Sequence, residues 1–184
     1  MAKSANSKKV MLKNVRLSFP AIFKKAVFES KETKFEATLL LDKDSQATTI
    51  EQLEKLIEDF AVEVFGEGKV PKSLKRTCLI DGDTKDYDGY ENHMAFKGAA
   101  TSRPTIIDRD KSPLVEDDGK PYAGCYVNAQ VSLWYSEHPK GGKQILGNLH
   151  GIQFYADGDS FGGNHASDVD EFEEFEDEDD GLLG

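Results

Sequence analysis

Cysteine is scarce in this chain, long apolar runs are absent, and lysine and arginine disappear after residue 143. Each absence excludes something. The two cysteines, Cys78 and Cys125, lie far apart and outside any CxxC pair. That spacing argues against a structural zinc site or a disulfide framework and suits a reducing cytoplasm with both thiols free. No apolar stretch approaches the ~18 residues that a membrane span needs. The opening MAKSANSKK has no apolar core of the kind a secretory signal carries, so the expected location is cytoplasmic. The four histidines, at 93, 138, 150 and 165, show no metal-ligand spacing. No Ser-His-Asp or Cys-His arrangement can be argued, and no cofactor motif is present. GEGKV at 66–70 is not a phosphate loop, because no glycine stands five residues before Gly68 and Val70 replaces the hydroxyl that would hold magnesium.

What is present is unevenly placed charge. The net charge is −11. Twelve of the 34 acids follow Lys143, which leaves 22 against all 23 bases in residues 1–143. Residues 1–34 hold nine bases and two acids. A near-neutral body thus joins a basic leading segment to a strongly acidic tail. Such asymmetry points to a nucleic-acid surface, an interaction tail, or both. At 184 residues the chain can bury a real core in one domain with tails.

Periodicity orders the body. Residues 1–8 read as a flexible basic arm. Val15, Leu17 and Phe19 alternate with Asn14, Arg16 and Ser18, a half-buried strand that Pro20 ends or places at an edge. Phe35, Ala37, Leu39 and Leu41 form the apolar face of a second strand, paired with the first across a polar connection at 29–33. The period then changes. Ile50, Leu53, Leu56, Ile57, Phe60 and Val64 make a helical stripe over about 46–65, with Asp44 or Ser45 as N-cap and Gly66 at the C-terminus. Residues 76–91 read as a turn-rich loop, 92–102 as a strand and 103–122 as a long connection. GCYVNAQVSLWYSE is the clearest strand, HPKGGK a hairpin loop, and QILGNLHGIQFYAD the returning strand. About five strands and one helix fit a mainly β, OB-fold five-stranded antiparallel barrel. The expected division is an arm over 1–8, a domain over 9–157, and a Gly-rich linker with an acidic tail over 158–184.

The segment 126–134 carries the candidate chemistry. One face holds Val127, Ala129, Val131 and Leu133. The other holds Tyr126 and Trp134 at its ends, with Asn128, Gln130 and Ser132 between. Aromatics beside uncharged amides suit a surface that stacks bases and hydrogen-bonds flexibly. The alternative is that Tyr126 and Trp134 pack under a loop or the helix. Arg16, Lys75, Arg76, Lys97, Arg103 and Arg109 are spread as a row of cations, the pattern that holds a single-stranded phosphate backbone. Tyr87 and Tyr90, in a polar loop, are further stacking candidates. DGDTKDYDG invites a metal reading but fails as a calcium loop, because Lys85, Asp86 and Asn92 fall where an acid or Asn, a Gly and a Glu are needed. A metal-dependent nuclease using Asp81 and Asp83 stays conceivable. So does an acidic decoy that mimics DNA, although a mimic would carry acids over its folded body. The residues favour a binding protein over an enzyme.

VRLSFPAIF, IDGDT, SRPTIIDRD, YAGCYVNAQVSLW and GNLHGIQFYADGDSFGG occur in this order from Val15 to Gly163. Together they resemble a family of tailed-bacteriophage single-stranded DNA-binding proteins. The resemblance implies an OB-fold, non-sequence-specific binding to single-stranded DNA, and a role in phage DNA replication and recombination in the host cytoplasm. It also implies an acidic C-terminal tail.

That tail, DVDEFEEFEDEDDGLLG, has ten carboxylates between Asp168 and Asp180, and its aromatics are internal. Its charge density predicts disorder. Some twenty-five residues of linker and tail reach roughly 25–30 Å, enough to fold back over a small domain. The carboxylates can then stand in for phosphates, and Phe172 and Phe175 for stacked bases. The tail is thus expected to compete with DNA and, once displaced, to recruit a polymerase, helicase or recombinase through Phe172, Phe175, Asp177, Asp179 and Asp180.

Overall fold

Alternating side chains become strands wherever one face can be buried, and the sequence supplies that pattern five times. The computed structural model describes residues 6–161. In chain order the elements are β1 (Val10–Ala21), β2 (Val27–Phe28), β3 (Lys31–Glu32), β4 (Phe35–Asp42), α1 (Ala47–Phe65), β5 (Leu79–Asp81), β6 (His93–Ala100), β7 (Thr105–Ile107), β8 (Tyr126–His138) and β9 (Gly142–Ala156). Strand β1 pairs antiparallel with β4 and β8, β4 with β6, and β8 with β9. A short parallel pairing, Gly98 with Gly147 and Ala99 with Asn148, joins β6 to β9 and closes the ring. The result is the closed five-stranded barrel of an OB-fold with one helix.

Closure depends on a glycine. A Cβ on Gly147 would meet the Lys97 carbonyl oxygen at 2.4 Å and the Phe96 ring at 2.7 Å, so any other residue would force β6 and β9 apart. The barrel interior is filled by Val15, Leu17, Leu39, Phe96, Val127, Leu133, Ile145 and their neighbours, nearly all without solvent contact. Each such side chain stabilises the fold by about 1.5–3 kcal/mol through burial. Two three-residue strands were unexpected. β5 pairs with the first half of β6, and β7 runs parallel to β9. Both sit in turn-rich sequence and are too short to show a period.

The helix stripe is as the spacing requires: Ile50, Leu53, Ile57, Phe60 and Ala61 are buried. Its start differs from expectation. Gln46 takes the N-cap position, but its side chain does not cap the helix: it accepts from Asp42 N–H and donates to the Lys13 and Asn14 carbonyls. The Asp42 carboxylate instead accepts from the backbone N–H groups of Asp44 and Ser45, at 2.8 and 3.0 Å. Those two bonds hold Asp42 below the usual carboxylate range. Gly66 ends the helix with φ 101°, its N–H on the Val62 carbonyl.

Residues just outside 9–157 also make contacts with the barrel. Ser7 of the supposed arm donates its backbone N–H to Leu133 O, and its Oγ accepts from Leu133 N, each at 2.8 Å. Residues 158–161, expected to start a linker, lie against the barrel. The tail residues Phe172, Phe175, Asp177, Asp179 and Asp180 fall outside the described residues.

Both cysteines are buried, and burial pushes the thiols up, Cys78 to about 12 and Cys125 to about 11. The thiolate is the reactive form, and at pH 8 it is a minute fraction of either. Native protein should therefore react with a disulfide reagent only as fast as it opens, and at once with both thiols in guanidinium. Rapid labelling of either thiol in the native state would contradict this packing.

Candidate nucleic-acid interface

OB barrels receive oligonucleotides on the outer face of their second and third strands. Here those strands are β4 and β6, with Thr38 and Lys97 as register partners. Three hollows of about 720, 530 and 380 Å³ lie over this face. All three share Glu36, two share Thr77 and Lys97, and two share Phe19 and Tyr87. They form one groove. One end is bounded by Ala123 and Phe161, the other by Trp134, Leu146 and Asn148.

An aromatic cluster stands in the groove. Phe19 and Tyr87 meet edge to face with centroids 5.0 Å apart, and Tyr87 meets Tyr90 at 5.2 Å. Phe19 is 56 % exposed and Tyr87 51 %. Strict alternation puts Phe19 inward with Val15 and Leu17. The register instead shifts between Ser18 and Ala21, and Phe19 takes φ 45°. This bulge, beside Pro20, turns the ring outward. A non-glycine residue in that conformation is strained, and such strain concentrates at functional sites. Tyr90 requires a correction. It is only 3 % exposed, and its phenol pairs with Ser18 Oγ at 3.1 Å. Burial pushes that phenol up. It supports Tyr87 from below and offers no free face for stacking.

The charges in the groove are sparse. Lys97 faces Glu36 at 3.3 Å, Lys34 lies 5.6 Å over the Trp134 ring, and Lys85 lines the Tyr87 side. Beside the groove the small β2–β3 ribbon exposes Val27 and Phe28, each 67 %. Glu36 is the one carboxylate common to all three hollows, so removing its charge should favour a polyanion. Glu36→Gln is expected to strengthen oligo-dT binding roughly twofold to fivefold, the range of one exposed ion pair. Titration by anisotropy at low salt measures it, and weaker binding would contradict the placement of the groove.

The other expected contacts are dispersed. Arg16 is committed to the fold. Its Nε donates to Gly124 O at 2.9 Å and an Nη to Asp159 O at 2.6 Å. Arg76 forms a two-pronged bond with Glu58 of α1, at 2.6 and 2.9 Å, which draws it away from the groove. Lys75 pairs through its backbone with Lys143 and Ile145, beside a separate hollow at the β8–β9 loop that Lys140 and His138 also line. Arg103 lies 5.8 Å over the Phe23 ring, and Arg109 is exposed beyond β7. On β8, Asn128 accepts from Asn14 N–H at 2.9 Å and donates to Gln153 at 3.3 Å. Ser132 is buried against His150 and Asn148. Tyr126 lies 5.8 Å from Arg16, and Gln130 is half-buried opposite Met11 and Gly151. Of the outward face of β8, only Trp134 lines the groove.

The paired acids have a plain partner. Lys43 Nζ stands 2.7 Å from both Asp81 and Asp83, and this bond holds both carboxyls below their usual range, for Asp83 after the backbone N–H of Asn92. The cluster clasps the end of β4 to β5.

Comparison with known proteins gives one coherent answer. A family model described as "Enterobacter phage Enc34, ssDNA-binding protein" matches residues 8–183. A putative protein p50 of Acyrthosiphon pisum secondary endosymbiont phage 1 is 37 % identical over 174 residues, covering 90 % of this chain and 93 % of its own. Among solved structures, the single-stranded DNA-binding protein of bacteriophage Enc34 in complex with ssDNA has a similar fold. Its TM-score is 0.72 at 24 % identity, over 84 % of this chain and 89 % of that one. The single-stranded DNA-binding protein gp2.5 of bacteriophage T7 gives a TM-score of 0.55 at 15 % identity, over 92 % and 97 %.

Proposed function

This chain belongs to the Enterobacter phage Enc34 single-stranded DNA-binding protein family, and on that premise we propose that it binds single-stranded DNA in the groove over β4 and β6. The observation that carries this reading is the exposed Phe19–Tyr87 pair in a groove that continues past Lys97 to Trp134. Bases stack on the rings, which is tolerant of sequence because every base has a π-face. Lysines along the groove meet phosphates and release counterions. Lys75, Arg103 and Arg109 extend the electrostatic surface rather than form its centre.

The protein acts in phage DNA replication and recombination. Its acidic tail competes with DNA for the groove and, when displaced, recruits a replication partner through Phe172 and Phe175. The support for this is compositional: ten carboxylates and two phenylalanines follow a Gly-rich segment.

The single tryptophan supplies a direct test, since Trp134 lines the groove. Titration with oligo-dT is expected to quench its emission. Affinity should fall with salt at a log–log slope of about −0.7 per phosphate contacted. A saturable interaction that leaves Trp134 emission unchanged would place the DNA elsewhere.

A further inference from the structure

The last described residues form a strap across the outside of the barrel. Tyr122 donates its hydroxyl to the Asp157 carboxylate at 2.6 Å, and Gly158 N–H donates to the same hydroxyl at 3.2 Å. Phe161 N–H donates to Ala123 O at 3.2 Å. Arg16 binds the strap through Asp159 O and the barrel through Gly124 O, so its guanidinium joins the two. That planar cation lies 4.3 Å over the Phe161 ring.

The ring then reaches the aromatic loop. A Cβ added to Gly89 would meet Phe161 ring carbons at 2.4 and 2.5 Å, so the ring rests on the bare backbone of the turn between Tyr87 and Tyr90. Gly89 also has φ 83°, which favours glycine for a second reason. Phe161 packs with Leu40, Tyr90, Ala95 and Ile80 in a small apolar cluster outside the barrel core. The same residue lines one end of the groove beside Phe19 and Tyr87.

We infer that Phe161, held by Arg16, is a positioning residue that fixes the loop at 85–92 and so presents Tyr87 to the groove. The inference rests on the groove being the single-stranded DNA site, but the latch itself is a property of the free protein. It also gives Arg16 a role: the residue acts on the DNA surface through Phe161 rather than by touching phosphate. The strap brings the C-terminal segment to the groove's own end, which is where a competing tail has to begin.

Hydrogen exchange of the free full-length protein reads the latch. Phe161→Ala should speed exchange of the 85–92 amides by roughly tenfold, as expected for one lost cation–π and aromatic contact, and leave β1, β4 and β8 protected. Phe161→Tyr should restore the wild-type pattern. Gly89→Ala, which pushes on the ring from the other side, should reproduce the Phe161→Ala pattern. Oligo-dT should dissociate several-fold faster from Phe161→Ala than from wild type, with Phe161→Tyr restored. Unchanged exchange at 85–92 in Phe161→Ala, or faster exchange throughout the barrel, would overturn the latch. Wild-type protein that fails to bind oligo-dT would overturn the groove reading instead, and the exchange result would still decide the latch.

Discussion

Replacing Phe19 and Tyr87 together by alanine is expected to weaken oligo-dT binding by roughly a hundredfold while the barrel stays folded. Each stacked base is worth about 1–3 kcal/mol by alanine substitution, and two rings stand exposed in the groove. Neither ring belongs to the barrel core, so thermal stability should change little. The salt slope should also persist, because the lysines remain. Tyr90→Phe is the paired control. It removes the bond to Ser18 but keeps the buried ring, so it should cost some stability and leave affinity nearly intact. Anisotropy with oligo-dT at two salt concentrations checks both variants. An affinity that survives the double substitution would mean that stacking happens on other rings.

Ending the chain after His165 is expected to raise affinity for oligo-dT, by roughly tenfold at low salt. A tethered competitor acts at millimolar effective concentration, so even weak tail binding takes up a large share of the free groove. The gain should shrink as salt screens the ten carboxylates between Asp168 and Asp180. The same truncation separates a binding protein from a DNA mimic, since a mimic would lose its activity with its acids. Phe172→Ala with Phe175→Ala isolates the aromatic share, because net charge is unchanged. An affinity unaltered by truncation at low salt would leave the tail with the recruiting role alone.

Much of the scaffold was legible in the sequence because its signals are local. The Val127–Leu133 alternation and the Ile50–Val64 stripe each state which face meets the core, and Gly66 marks a helix end by its own conformation. The closure of the barrel was not legible in the same way. The fit of Gly147 against Phe96 joins residues about fifty positions apart, and nothing near either one announces the other.

The site was harder for a related reason. The outward face of β8 reads as polar in the sequence, so its amides look available. Asn128 and Ser132 are in fact occupied by Asn14, Gln153, His150 and Asn148 from neighbouring strands. Alternation alone groups Phe19 with Val15 and Leu17, and the bulge that turns it outward leaves no mark in the period. Tyr87 and Tyr90 share one loop and one residue type, and only tertiary packing sends one outward and the other beneath it. Arg16 and Phe161 meet across most of the chain, so the strap has no signature in either segment.

The central claim is that DNA lies over β4 and β6, along Phe19, Tyr87 and Trp134. Photocrosslinking of full-length protein to iodouracil-substituted oligo-dT, with adducts mapped by mass spectrometry, tests it most directly. Adducts are predicted at these three aromatic residues. Adducts confined to Tyr126 and Tyr155 would place the DNA on the outer face of β8 and β9 and contradict the account.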